Sequence, residues 1–152
     1  MDHSNEISKI AVYETQGCSV ILVQHELTRE SAQEFQTNVL DQIHLKSVKG
    51  VVIDLSGINV IDSQLWGIFS KTSQMIKIMG FPSVITGLSP GVVASIIDHD
   101  LNINEVLTAL NLEEALSIVN QSAELASEDN EENGLLEDTS VNDINDDGLI
   151  LE

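Results

Sequence analysis

Ser63 stands where a hydroxyl can do chemistry. It follows Asp62 at the end of a loop leaving the strand-like segment GVVIDLS, residues 50–56. It precedes Leu65, Ile68, Phe69, Thr72, Met75, Ile76 and Met79, whose three- and four-residue steps predict an amphipathic helix stopped by Gly80. Two roles fit these residue types. Either Asp62 or Ser63 can be an N-cap, accepting a hydrogen bond from a free backbone N–H. Alternatively, Ser63 can accept a phosphate, which on the first residue of a helix would lie beside unpaired N–H groups and the positive end of the helix dipole. A phosphate there is tolerated without unfolding. Its charge of about −1.5 to −2, next to Asp62, would nevertheless repel a partner docking through an acidic or apolar surface.

Other chemical motifs begin and then fail. His25-Glu26 opens like the zinc motif H-E-x-x-H, but Arg29 stands in place of the second histidine. Asp54, at a strand end, is placed like the phosphoaspartate of a receiver domain. That family also needs an acidic pair after its first strand and a lysine after a later one, and neither Glu14-Thr15 nor Val84 to Gly87 supplies them. Asp143, Asn145, Asp147 and Gly148 fill the first, third, fifth and sixth places of a calcium loop, but no glutamate fills the twelfth, so a solvated acidic segment is expected there. There is no glycine-rich phosphate loop and no nucleophile elbow. No metal, cofactor or enzymatic activity is expected.

The elements that must position Ser63 follow from periodicity and turn chemistry. Residues 8–13 and 18–24 predict two antiparallel strands around a Gln16-Gly17 turn. Thr28 caps a helix carrying Ala32, Phe35, Val39 and Ile43 on one side, and residues 50–56 form a strand covered on both faces. After the helix that starts at Asp62-Ser63 comes a strand at residues 83–86. Ser89-Pro90 then opens a helix with Val92, Val93, Ile96 and Ile97, residues 106–110 form a last strand, and Asn111 with Glu114 at the capping-box position starts a helix ending near Asn120. The order ββαβαβαβα predicts an α/β domain with a mixed, mostly parallel sheet and helices packed against it.

Composition limits the partners. Of 152 residues, 42% are hydrophobic and 3% aromatic, so one aliphatic core is expected and no base-stacking platform. The net charge of −19 argues against nucleic acid and anionic membranes. A single cysteine, Cys18, excludes an internal disulfide, and no apolar run is long enough for a membrane span or secretory leader, which predicts a cytoplasmic protein. Residues 121–152 hold 11 of the 25 acidic residues and no Lys or Arg. The division expected is a domain over 1–120 and an acidic, disordered tail over 121–152.

The motifs D-L-S-G-I-N-V-I-D-S, G-F-P-S-V-I-T-G-L-S-P-G-V and N-L-E-E-A-L together resemble the STAS family of anti-anti-sigma factors, most of all its RsbS-type stressosome scaffold subunits. The similarity covers roughly residues 7–120, and the tail departs from it. The resemblance implies a STAS fold and makes Ser63 the phosphoacceptor of a partner kinase, with Asp62 and Gln64 supporting the site and kinase docking. Ser95, on the helix after G-L-S-P, lies nearest to a second phosphoacceptor found in some related subunits, though it also fits as an ordinary helix residue. It further implies paralogous RsbR-type STAS subunits, an RsbT-type serine/threonine switch kinase that brings its own ATP and Mg²⁺, a phosphatase, and a large homo- or hetero-oligomer. A free-standing anti-anti-sigma factor binding an anti-sigma kinase is the alternative.

Overall fold

A computed structural model describes residues 10–150, with side chains described through residue 132. The elements run β1 (Ile10–Thr15), β2 (Cys18–Val23), α1 (Arg29–His44), β3 (Val51–Asp54), α2 (Ser63–Ile78), β4 (Ser83–Thr86), α3 (Pro90–Asp98), β5 (Leu107–Ala109) and α4 (Leu112–Ile150), which is the expected order. They build one five-stranded sheet in the order β1-β2-β3-β4-β5. The β1–β2 pair is antiparallel and joined at Gln16-Gly17, whose φ values of 50° and 78° match a two-residue hairpin turn. The remaining three pairings are parallel, with Ile21, Ile53 and Ile85 side by side across the register.

Strand periodicity sorts the core into two layers. Ile21, Val23, Val51, Ile53 and Ile85 face α1, α2 and α3, meeting Phe35, Val39, Ile43, Phe69, Ile76, Val92 and Ile96. The alternate residues Cys18, Val20, Val52 and Val84 face Ala115, Leu116 and Val119 of α4. Three consecutive residues of β3, Val51, Val52 and Ile53, are therefore fully buried, as expected of a strand covered on both faces. Phe35 and Phe69 lock α1 to α2 edge to face, with ring centroids 5.4 Å apart. Burial pushes the Cys18 thiol up from its ordinary pKa, against the opposing pull of Lys49, so this cysteine is core packing rather than a reactive group.

Local chemistry sets the helix ends. The Thr28 hydroxyl accepts from Ser31 N–H while the Ser31 hydroxyl accepts from Thr28 N–H, a reciprocal capping box. Ser89 caps α3 with Pro90 in its first turn. Gly80 N–H donates to Lys77 O and Phe81 N–H to Ile76 O, the paired bonds that close α2. Asn111 caps α4 as expected, its Oδ1 accepting from Glu114 N–H at 2.9 Å. The Glu114 carboxylate, however, reaches one residue further back, to Leu110 N–H at 2.6 Å.

Helical backbone continues past the end expected near Asn120, through the segment read as a disordered tail, to Ile150. Residues 121–132 are rich in Ala, Leu, Glu and Gln and hold neither glycine nor proline, so nothing in them stops a helix. The chain nonetheless divides between Asn120 and Gln121 into two compact units. Among the described side chains none after Val119 is buried, and residues 124–132 are all exposed. The change at Asn120 thus lies in packing rather than in backbone conformation. Deleting residues 123–152 is expected to leave thermal unfolding cooperative with an unchanged midpoint, and loss of the transition would place the segment within the domain's stabilising core.

Candidate functional site

Parallel pairing brings the C-terminal ends of β2, β3 and β4 to one end of the sheet, and the segment that carries Ser63 starts there. β3 hands over through Leu55, whose N–H donates to Thr86 O at 2.9 Å, and Asp54, whose Oδ1 accepts from Ser56 N–H at 2.9 Å. Ile58 and Ile61 are fully buried and anchor the loop in the core. Ser89 Oγ donates to Ile58 O at 3.3 Å. Two glycines admit the close packing. A Cβ on Gly57 would strike the carbonyl oxygens of Val23 and Gln24, and one on Gly87, whose φ is +76°, would strike Asp54 Oδ1 and come within 2.7 Å of Ser56 N. The loop is thus held against β2, the β4–α3 turn and the start of α3.

This clamp decides which of Asp62 and Ser63 caps the helix. Asp62 is extended, with φ −95° and ψ 173°, and its Oδ1 accepts from Leu65 N–H at 2.8 Å while its carbonyl accepts from Trp66 N–H at 3.0 Å. The buried Trp66 ring fixes that register by donating Nε1–H to Asn102 O at 3.2 Å. Asp62 is therefore the cap, and Ser63 is the first residue of α2. Asp62, Ser63 and Gln64 are all exposed, and the Ser63 hydroxyl has no hydrogen-bond partner among the described residues. Because the cap is a carboxylate at the positive end of a helix, Asp62→Ala is expected to cost about 1 kcal/mol in chemical denaturation, and Ser63→Ala much less.

Ser63 lines an open groove between α1 and α2 together with Arg29, Gln33, Gln36, Gln64, Gly67, Ile68 and Lys71. No histidine or carboxylate is among these residues, so the groove offers no general base to activate the hydroxyl. The arrangement suits a hydroxyl presented to another molecule's catalytic groups. Arg29 and Lys71 carried no signal in the sequence, because they lie 34 and 8 residues from Ser63 and only the packing of α1 on α2 joins them.

The remaining candidates lie elsewhere. Ser95 is half-buried in α3, with its hydroxyl donating to Gly91 O at 3.0 Å. His25 is exposed between β2 and α1, and Arg29 begins α1. Asp54 holds the Ser56 amide, and the sheet order differs from the 2-1-3-4-5 order of receiver domains. Among the described residues no cluster of three metal-ligating side chains occurs. The side chains of Asp143, Asn145 and Asp147 lie outside the described ones. No helix among the described residues is long and apolar enough to cross a membrane.

With this sheet order and an exposed serine at the start of α2 in view, the comparison with known proteins is direct. Residues 9–115 match the STAS domain family. The chain belongs to the STAS domain family. Its sequence is 23% identical over 113 residues to the RsbT co-antagonist protein RsbRD of Bacillus subtilis (strain 168), covering 74% of this chain and 41% of that protein, so it spans less than half of that relative. A serine-to-glutamate variant of RsbS from Moorella thermoacetica superposes with a TM-score of 0.65 at 26% identity, covering 76% of this STAS chain and 98% of that one. A chain from the stressosome, described as a signal integration and transduction hub, superposes with a TM-score of 0.61 at 25% identity, covering 74% and 98%. The STAS fold and the relation to stressosome antagonist proteins thus agree with the sequence motifs.

Proposed function

We propose that this STAS protein is a phospho-regulated scaffold and antagonist of a bacterial stress-signalling complex, a stressosome, which holds a serine/threonine switch kinase until Ser63 is phosphorylated. The observation that carries the reading is the division of labour at the start of α2. Asp62 takes the capping role, which leaves the Ser63 hydroxyl exposed and without a hydrogen bond among the described residues, at a position where added negative charge is electrostatically tolerated. Ser95 fits less well, because its hydroxyl already bonds within its own helix.

The reaction belongs to the partner. Ser63 Oγ attacks the γ-phosphorus of ATP held with Mg²⁺ by the kinase, the bond from that phosphorus to the bridging oxygen breaks, ADP leaves, and the hydroxyl proton passes to a base of the kinase. Unphosphorylated Ser63, with Asp62 and Gln64 beside it, forms part of the kinase-docking surface. Phosphate makes that surface strongly anionic and releases the kinase, and a phosphatase resets it. Paralogous RsbR-type subunits complete a large cytoplasmic assembly, for which the similarity to RsbRD and to a stressosome chain is the support.

Incubation with ATP, Mg²⁺ and the kinase encoded beside its gene, followed by intact-mass and phosphopeptide analysis, tests the reading. One phosphate on Ser63 is the expected result. Phosphate on another residue, or none, removes Ser63 as the switch. The alternative, a free-standing anti-anti-sigma factor, predicts a small species when mixed with related STAS subunits, whereas the scaffold predicts a very large one in light scattering.

A further inference from the structure

The groove beside Ser63 has an unusual charge for this molecule. The chain has 25 acidic residues and 6 basic ones, yet this groove is walled by two cations, Arg29 and Lys71, and by no carboxylate. Neither cation forms an ion pair among the described residues, where Lys46 with Glu14 is the one salt bridge. Glu30 and Glu34, which neighbour Arg29 along α1, line an adjoining groove with Thr37, Asn38 and Gln33, the residue the two grooves share. Arg29 and Lys71 are both exposed, so their side chains are free to rearrange toward an anion.

Resting on the reading of Ser63 as phosphoacceptor, we infer that the phosphate is received within this chain, by the guanidinium of Arg29 with Lys71 supporting it, so that phosphorylation bridges α1 to α2. Arg29 is the first residue of α1 and Ser63 the first residue of α2, and both line the groove at the same end of the sheet. A guanidinium offers a planar pair of N–H donors that matches two phosphate oxygens. Lys71 lies two turns along α2 from Ser63, about 12 Å in rise, and its stem leans back toward the start of the helix, so it acts mainly through its field. Gln33, one turn after Arg29 on the same wall, adds an amide donor. The free N–H groups of Ser63 and Gln64 complete the cradle, while Asp62 opposes it.

The consequence is regulatory. Phosphorylation does more than place charge on a docking surface, because it also draws Arg29 away from any partner that would pair with it and tightens the α1–α2 contact. The phosphorylated state is then a distinct local structure for a phosphatase or paralogous subunit to read.

The test uses full-length protein with phosphoserine introduced genetically at position 63, which makes the result independent of any kinase. Titration followed by phosphorus NMR is expected to give a second phosphate pKa at least about half a unit lower than in the same protein carrying Arg29→Gln, since a neighbouring cation favours the dianion. Lys71→Gln should move it less, Arg29→Lys should restore part of the shift, and raising the salt concentration should shrink the difference. Arg29 is exposed, so the far-UV spectrum should not change on substitution. A pKa that is the same with and without Arg29 overturns the bridge. Failure of kinase transfer from ATP counts instead against Ser63 as the natural acceptor, and the titration alone decides the role of Arg29.

Discussion

Replacing Ser63 with alanine is expected to reduce phosphate incorporation from one equivalent to background while the kinase stays bound after ATP is added. Two facts make this substitution a clean probe. The hydroxyl is exposed and makes no hydrogen bond among the described residues, so its loss breaks nothing, and Asp62 rather than Ser63 caps α2. Stability should therefore change by no more than about 0.5 kcal/mol. Under the proposed mechanism, transfer of the phosphoryl group to the wild type should put close to two negative charges at the centre of the docking surface and release the kinase. In Ser63→Ala that charge never arrives, so sedimentation or pull-down with ATP and Mg²⁺ should retain the complex. Ser63→Asp brings only one charge on a shorter stem and should weaken kinase binding by about fivefold or more, because like charges brought together at an interface cost on the order of 1 kcal/mol or more. Equal affinities for Ser63→Asp and wild type would argue that release depends on phosphate geometry rather than on charge.

The parts of this architecture legible in the sequence are those governed by local rules. Thr28, Ser89-Pro90 and Gly80 sit at helix ends because capping chemistry acts within three or four residues, and the spacing of Leu65, Phe69, Thr72 and Ile76 marks the buried face of α2 directly. The parts that were not legible depend on contacts distant in sequence. Asp62 and Ser63 are equally good caps by residue type. The choice falls to Asp62 because Trp66 reaches Asn102, and because Ile58 and Ile61 pin the preceding loop, which together fix where the first turn begins. The cationic groove was invisible for the same reason, since its two walls come from helices separated by a whole strand. The end of α4 is legible only as an end of packing. A fall in apolar periodicity after Asn120 marks the end of packing, whereas helix propensity continues through Ala123, Leu125 and Ala126.

Gly57→Ala is expected to cost about 3 kcal/mol or more, against a total of roughly 5–15 kcal/mol for a domain of this size. The added Cβ would overlap the carbonyl oxygens of both Val23 and Gln24. These are main-chain atoms at and just after the end of β2, where Val23 pairs with Ile10 of β1, so neither can yield as a flexible side chain would. Relief requires the loop after β3 to lift, which would draw Ile58 and Ile61 out of the core and loosen the start of α2. Damage should therefore reach the site as well as the fold. At a temperature where most of the variant is still folded, phosphate incorporation at Ser63 should fall, and the amide of Leu65, which Asp62 holds, should lose protection from hydrogen exchange. Gly67→Ala is the matched control. Gly67 lies inside α2, where an added Cβ meets nothing within 4 Å, so the same methyl should stabilise the domain by about 0.5–1 kcal/mol through helix propensity alone. A Gly57→Ala as stable as wild type in urea titration would show that the contact of the loop with β2 is not what holds Ser63 in place.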